Sequence, residues 1–399
     1  MPAEPSEQQR RPLPAARRPA PHRPAGTLHL AAVIDAREPT ADVAQRCTET
    51  ALLAERGGLD FVVVDSGADA VPDAVALPAR LASVTDRIGV LPLLPLPALA
   101  PQDPARALAT LDWVSHGRGG WAVVGPPATA GPGSGLRRGS GLRRGTATGR
   151  GSVRATATGP DAEPAPPRAA DVAAAVAAVT AAWDEGAAVD GARAPQGRPV
   201  VAVHAAAWSG EGRQVAAQHA DIVLVRAAAA EEAAAERAAL RDLAAAAGRD
   251  PDRLLVLADL AIDLCGGELG QEPGADVAPA DDGAGGVVFR GGPVDLAELV
   301  VRWRESGAVD GFLVRPLDPR RDLERFVNGT VALLQHRGLF RTFHPGATLR
   351  EHLGLHRPAQ RHPAPGPGHG PAQTLPVQSR IASPGGAAGI AVADGTAVS

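Results

Sequence analysis

The stretch that decides the fold begins with LHLAAVID at residues 28–35 and FVVVD at 61–65. Both runs are short and almost continuously apolar, without the alternation that marks a half-exposed strand. Strands of this kind are buried on both faces, as in parallel sheets flanked by helices. Six further runs of the same type follow, at 87–94, 120–125, 199–204, 221–225, 254–260 and 311–314.

Helical segments separate these runs. Residues 42–56 and 231–247 are rich in helix formers, and a third helix is predicted from Pro293 to Trp303. The clearest amphipathic stripe lies at 323–335, where apolar residues recur three and four positions apart. Eight strands alternating with helices predict an α/β protein, a (β/α)8 barrel. A doubly wound open sheet is the alternative that periodicity leaves open.

Composition and charge exclude several classes of protein. A net charge of −4 argues against a general nucleic-acid binder, and no apolar run is long enough to predict a membrane span. The first residues lack the apolar core of a secretory signal. Two cysteines, Cys47 and Cys265, cannot make a disulfide framework or a zinc site, so no metal is expected. We therefore expect a protein of the reducing cytoplasm.

Three segments have a composition that cannot bury a core. Residues 1–26 and 359–399 are rich in Pro, Ala, Gly or Arg and are predicted to be disordered tails. Residues 126–168 contain the word GSGLRR twice in tandem, at 133–138 and 139–144. This insertion is predicted to be a solvated loop, with phosphate or RNA binding by its arginine pairs as the alternative.

Three ordered stretches of the chain carry a family resemblance. Residues 51–125 include ALLAERGGLDFVVVDSG, LASVTDRIGVLPL and PARALATLDWVSHGRGGWAVVG, and residues 195–225 begin with PQGRPVVAVH. Residues 305–355 begin with ESGAVDGFLVRP and end with TLREHLGL. These words resemble the bacterial luciferase-like flavin monooxygenases. The most similar branch contains the large components of nitrilotriacetate, dibenzothiophene-sulfone and long-chain alkane monooxygenases.

The resemblance implies a fold and an activity. The fold is a TIM barrel over residues 27–358, with 340–358 forming a C-terminal arm. The activity is that of a two-component monooxygenase, in which a separate flavin reductase supplies reduced FMN and oxygen is added to a small organic substrate. Assembly into a homo-oligomer is left open.

Asp65 and Ser209 match family residues that contact FMN. Asp65 ends the second strand, at the C-terminal face where barrel active sites lie. The alternative for Asp65 is a carboxylate that caps the turn at Ser66 and Gly67. Ser209 begins a predicted helix, where a hydroxyl, backbone N–H groups and the helix dipole together hold a phosphate. The alternative for Ser209 is an ordinary N-cap. His204, near the end of the fifth strand, is interpreted as structural.

The sequence also departs from the family pattern. The family has a hydroxyl residue at the end of the third strand, where this chain reads LPLLPLPALAP at 91–101. The insertion at 126–168 replaces two further family words, and the chain has no Tyr. Two alternatives therefore stay open: a degenerate paralogue that keeps the barrel without catalysis, and a deazaflavin-dependent oxidoreductase.

Overall fold

The computed structural model describes residues 27–38, 40–67, 71–95, 102–124, 169–184, 194–205, 210–265, 278–282 and 286–358. The two predicted tails and the insertion predicted at 126–168 lie outside these residues, so their disorder stays a prediction. No helix among the described residues is both long and apolar enough to span a membrane.

Eight parallel strands close into a barrel. They are β1 (His29–Asp35), β2 (Phe61–Asp65), β3 (Gly89–Pro95), β4 (Gly120–Val124), β5 (Val200–His204), β6 (Ile222–Val225), β7 (Leu255–Asp263) and, after a short hairpin of β8 (Ala280–Asp281) and β9 (Val287–Arg290), β10 (Gly311–Pro316). Strands β1 to β7 pair in chain order, and β10 pairs with both β7 and β1. This closure confirms the (β/α)8 barrel and rules out the open sheet.

The helices follow the strands around the barrel. They are α1 (Val43–Arg56), α2 (Val71–Val84), α3 (Gln102–Val114), α4 (Ala169–Asp184), α5 (Gly210–His219), α6 (Ala230–Ala246), α7 (Pro293–Glu305), α8 (Arg321–Arg325), α9 (Ala332–His336) and α10 (Leu349–His352). A π-helical stretch, Phe326–Val331, joins α8 to α9 within the helix predicted at 323–335. The π stretch places Gly329 against Pro293, where an added Cβ would lie 2.5 Å from the proline Cβ.

Apolar side chains fill the barrel and also coat its outside. The interior set is Ala31, Val33, Phe61, Val63, Leu91, Ala122, Val200, Ala202, Ile222, Leu224, Leu255, Leu257 and Leu313. The residues between them on each strand face the helices instead. Trp121 of β4 is one of these, and its ring meets Trp183 of α4 edge to face with centroids 6.0 Å apart.

The predicted C-terminal arm closes the bottom of the barrel. Leu349 and Leu353 of the arm join the interior apolar cluster. The Gln196 side chain accepts the Arg350 backbone N–H at 3.0 Å and donates to Asp112 Oδ1 at 2.6 Å. The Arg350 guanidinium donates to both carboxylate oxygens of Asp221, at 3.2 and 2.8 Å. The arm is thereby fixed to α3 and to the loops before β5 and β6.

The hairpin of β8 and β9 was not predicted. Strand β9 pairs in parallel with Ala261–Asp263, the last three residues of β7, and in antiparallel with β8. β7 was predicted to end at Leu260. The prediction failed here because β8 has two residues and β9 has four, too short for a period-two pattern to stand out.

Candidate active site

A layer of polar side chains lies above the apolar interior, at the C-terminal ends of the strands. Each member follows an interior residue by two positions, so strand alternation turns it inward. We call this set the mouth layer: Asp35, Asp65, His204, Arg226, Asp259 and Arg315. Active sites of (β/α)8 barrels lie at this face, and we therefore take the mouth layer as the candidate active site.

Asp259 is the centre of the mouth layer. Its carboxylate, 2 % exposed, accepts hydrogen bonds from Arg315 Nη2 at 2.9 Å to each oxygen and from Arg226 Nε at 3.2 Å. Burial alone would raise the pKa of Asp259, but Arg315, His204 and Arg226 hold it below its usual value. Asp259 is therefore a charged acceptor that orients two arginines toward the mouth.

His204 lies beside this carboxylate in its neutral form. Its Nδ1 is 3.6 Å from Asp259 Oδ2. Burial lowers the pKa of His204 to about 4, against a smaller opposing effect of Asp259. With Asp35, Asp65 and Arg37, this face of the barrel holds three carboxylates and three guanidinium groups.

Asp65 lies at the C-terminal end of β2, where the sequence predicted it. Its contacts with described residues are those of the turn that follows β2. Its Oδ1 accepts the N–H of Gly67 at 3.2 Å, and Gly67 adopts a φ of 61°. Arg37 Nε lies 3.6 Å from Asp65 Oδ2 and donates to Asp35 Oδ1 at 2.9 Å. The contact of Asp65 with FMN stays a prediction.

Ser66, directly after Asp65, carries a buried hydroxyl that has no partner among the described residues. Its Oγ makes no hydrogen bond to the described part of the chain. A buried polar atom in a native protein is usually paired, and an unpaired one points to a missing water or ligand. This hydroxyl at the C-terminal end of β2 therefore fits a polar group of a bound molecule.

Ser209 lies outside the described residues. The helix that it was predicted to begin is observed as α5, which starts at Gly210 after β5 and therefore at the C-terminal face. The end of β3, Leu93, Leu94 and Pro95, carries no hydroxyl, in agreement with the sequence departure noted above.

Sequence reasoning missed five charged residues of this face: Asp35, Arg37, Arg226, Asp259 and Arg315. A signal was present, because four of them stand two positions after an inward apolar residue of a buried strand, as in VID, LVR, LAD and LVR. Among the described residues, no group of three or more His, Cys, Asp or Glu could hold a metal ion.

The chain matches the sequence model of the luciferase-like monooxygenase family over residues 20–262, more than half of its length. It therefore belongs to that family, and the predicted family is confirmed.

Two curated relatives show similarity over short stretches. N-acetyl-S-(2-succino)cysteine monooxygenase of Bacillus subtilis (strain 168) is 41% identical over 75 residues, 19% of this chain and 17% of that protein. Nitrilotriacetate monooxygenase component A of Aminobacter aminovorans is 44% identical over 68 residues, 17% of this chain and 15% of that protein. The aligned stretches thus span less than a fifth of either relative.

Solved structures share the fold over most of the chain. EDTA monooxygenase from Chelativorans sp. BNC1 superposes with a TM-score of 0.61 at 19% identity, covering 83% of this chain and 99% of that one. A riboflavin lyase solved with modified FMN and riboflavin gives 0.59 at 17% identity, covering 84% and 98%. At these identities the likeness is one of fold.

Proposed function

We propose that this chain is the oxygenase component of a two-component flavin-dependent monooxygenase. It takes reduced FMN from a separate flavin reductase and oxygenates a small organic substrate. When bound, the reduced flavin supplies the electrons that activate oxygen. The observation that carries the proposal is the mouth layer, in which buried Asp259 holds two arginines at the active-site face of a luciferase-like barrel.

The residues of this face fit an anionic cofactor. Reduced FMN brings a phosphate and a ring rich in hydrogen-bond acceptors. The chain offers the arginine donors of Arg315, the Ser66 hydroxyl, which has no partner among the described residues, and the start of α5. The apolar layer directly below the mouth excludes water from that side, which favours oxygenation over loss of the activated oxygen.

Relatives support the same proposal without fixing the cofactor. One of them is named as a component of nitrilotriacetate monooxygenase, which favours a partner reductase. An F420-dependent secondary alcohol dehydrogenase has the same fold, with a TM-score of 0.51 at 14% identity, and keeps a deazaflavin as the second candidate cofactor. Cytoplasmic location and assembly into a homo-oligomer stay predictions.

An anaerobic titration tests the cofactor and the phosphate site together. Wild type, Ser209→Ala and the control Ser306→Ala are titrated with reduced FMN, reduced riboflavin and a reduced deazaflavin. We expect Ser209→Ala to weaken FMN by about 5- to 30-fold, since one charge-assisted hydrogen bond contributes about 1–2 kcal/mol, and to leave riboflavin unchanged. Ser306 bonds Trp303 O at the end of α7, on the opposite face, and its variant should match wild type.

The titration separates the alternatives. Reduced FMN binding weaker than about millimolar favours the degenerate paralogue, and a preference for the deazaflavin favours the second cofactor. Tight FMN binding that Ser209→Ala does not weaken places the phosphate elsewhere on the rim.

Asp65→Asn tests whether this carboxylate serves the cofactor or only its turn. The amide oxygen still accepts the Gly67 N–H, so the fold should persist, while the charge beside Arg37 is lost. We expect the rate of substrate oxygenation under saturating reduced FMN to fall about tenfold or more, with FMN affinity changed less than threefold. An unchanged rate would leave Asp65 with the turn role alone.

A further inference from the structure

We infer that a cavity at the N-terminal end of the barrel, opposite to the mouth layer, binds a small tetrahedral oxyanion, a phosphate or sulfate group, between Arg198 and Arg249. The cavity has a volume of about 120 Å³ and is lined by residues of α4, α5, the loop before β5, the segment after α6 and the C-terminal arm. The inference goes beyond the proposed function, because this cavity and the mouth layer lie at opposite ends of the strands.

The cavity lies at the bottom of the barrel and is open to solvent. Arg198 comes just before β5, Asp221 comes directly before β6, and His219 ends α5, so these lining residues stand at the N-terminal side of the strands. Gln218 also lines the cavity, and its side chain is exposed. Because one water needs roughly 10–15 Å³ of such volume, the cavity has room for a group of several atoms.

Arg249 is a lining residue whose charge has no carboxylate partner within the described part of the chain. Its Nη1 and Nη2 donate to the main-chain carbonyls of Ala217 and Ala220, each at 2.7 Å, at the C-terminal end of α5. A helix end carries only about half an elementary charge, so these carbonyls neutralise only part of the guanidinium charge. Nε and the second N–H of each terminal nitrogen are left to bind a ligand.

Two further arginines lie around the cavity, and each has a carboxylate partner. Arg198 donates from Nε to Asp184 Oδ1 at 2.8 Å, while its Nη1 has no acceptor among the described residues. Arg350 is paired with Asp221, as described above. Burial lowers the pKa of Arg249, and Arg350 and Arg198 add to this effect against the opposing effect of Asp221. The surroundings of Arg249 are therefore more positive than negative.

The nearby carboxylates do not compensate the charge of Arg249. Among the described residues, Asp221 is the only carboxylate in the lining, and both of its oxygens accept hydrogen bonds from Arg350. Asp112 is fully buried, accepts the side-chain and backbone N–H groups of Gln196, and is not part of the lining. An anion in the cavity would restore the balance of charge.

The donors around the cavity fit a tetrahedral oxyanion. Arg249 and Arg198 supply guanidinium N–H groups, which bind phosphate and sulfate through short charge-assisted hydrogen bonds. His219 lines the same cavity, and burial lowers its pKa, with Arg249 adding to the effect. At neutral pH this imidazole is therefore uncharged and still offers one N–H. An anion with several acceptor oxygens can meet all three side chains at once.

Calorimetric titration of the whole chain with inorganic phosphate, at neutral pH and constant ionic strength, tests the inference. We expect wild type to bind phosphate with a Kd of about 1 mM or tighter. Gln218→Glu should weaken phosphate about tenfold or more, because it adds a negative charge to the lining and removes no hydrogen bond between described residues. Gln214→Glu, the same change one turn earlier on α5 and outside the lining, is the control and should stay within about threefold of wild type.

Arg249→Gln should also weaken phosphate about tenfold or more, and Arg249→Lys, which keeps the charge, should weaken it less. If Arg249→Gln fails to fold because the α5 carbonyls lose their donor, Gln218→Glu alone decides. Glycerol 3-phosphate is titrated in parallel. Binding as tight as that of phosphate assigns the cavity to phosphate esters, and binding about tenfold weaker assigns it to the free ion. Either result supports an oxyanion site.

No phosphate binding at about 10 mM, or binding that Gln218→Glu leaves unchanged, overturns the inference. Phosphate binding that Ser209→Ala weakens and Gln218→Glu does not belongs to the proposed cofactor site and overturns it as well. The same proteins are titrated anaerobically with reduced FMN, which Gln218→Glu should bind as tightly as wild type does. Selective phosphate binding without FMN binding in any of them keeps the oxyanion site and refutes the proposed function.

Discussion

Replacing Arg118 with alanine is expected to lower the free energy of unfolding by about 3–5 kcal/mol. The residue is 3 % exposed. Its guanidinium donates to the carbonyls of Ile88, Ala82 and Thr85 at 2.7, 2.9 and 2.8 Å, and to Thr85 Oγ1 at 3.1 Å. Alanine would leave three buried carbonyls unpaired, and each such group costs about 1–3 kcal/mol.

Urea unfolding at neutral pH measures this loss. The control is Arg106→Ala, because Arg106 is exposed on α3, and we expect its effect to stay within about 0.5 kcal/mol. A loss below about 1 kcal/mol for Arg118→Ala would mean that water replaces the guanidinium at these carbonyls.

Arg118 also shows why the fold was predictable. It belongs to the family word SHGRGGW, Asp112 to LDW, Gln196 to PQGR and Arg350 to TLREHLGL. In the structure Gln196 joins Asp112 to Arg350 at the bottom of the barrel, while Arg118 holds the end of α2 nearby. The motifs that carry the resemblance thus contribute residues that stabilise the barrel. They identify the fold and the family, but they say less about the chemistry of the active site.

The mouth layer could not be assembled from sequence in the same way. Asp259 and Arg315 are 56 residues apart and meet only because β7 and β10 pair at the closure of the barrel. A strand pattern shows that each side chain points inward, but register decides which of them touch. The contacts within this ion cluster therefore follow only from the folded structure. The position of Asp65 follows from the end of its strand alone.

The widened turn at Phe326–Val331 is a second feature hidden from sequence. The apolar stripe at 323–335 repeats at three and four positions, which an α-helix and one carrying a π turn satisfy almost equally. The contact of Gly329 with Pro293, which lies far away in the sequence, forms only in the packed structure.

Acidification from pH 6.5 to 4 is expected to lower the free energy of unfolding, because two buried histidines stay unprotonated in the folded chain. Burial lowers the pKa of His352 to about 4, with His344 adding to the effect, and burial lowers that of His204 to about 4. In this pH window the unfolded chain binds these two protons and the folded chain does not, so stability falls as pH falls. Each histidine contributes about 3 kcal/mol to the loss.

Asp112 acts in the opposite direction. Burial raises its pKa to about 6, in spite of the hydrogen bonds from Gln196. The folded state therefore takes up this proton before the unfolded state does, which returns about 2 kcal/mol between pH 6 and 4. Burial also lowers the pKa values of His219 and His344, which adds to the loss, so the expected net effect of acid is destabilisation.

His352→Leu isolates one of these two causes, because it removes one titrating group from the arm. The His352 side chain is 1 % exposed, and neither ring nitrogen has a hydrogen-bond partner among the described residues. Leucine should therefore leave stability at pH 7 unchanged or slightly raised, since no hydrogen bond is lost. In urea unfolding at pH 7, 5.5 and 4.5, we expect this variant to lose about 2–3 kcal/mol less than wild type between pH 7 and 4.5. The control His336→Gln changes an exposed histidine of α9 and should retain the wild-type pH dependence. If His352→Leu also retains it, His352 is protonated in the folded state and must have a partner such as buried water.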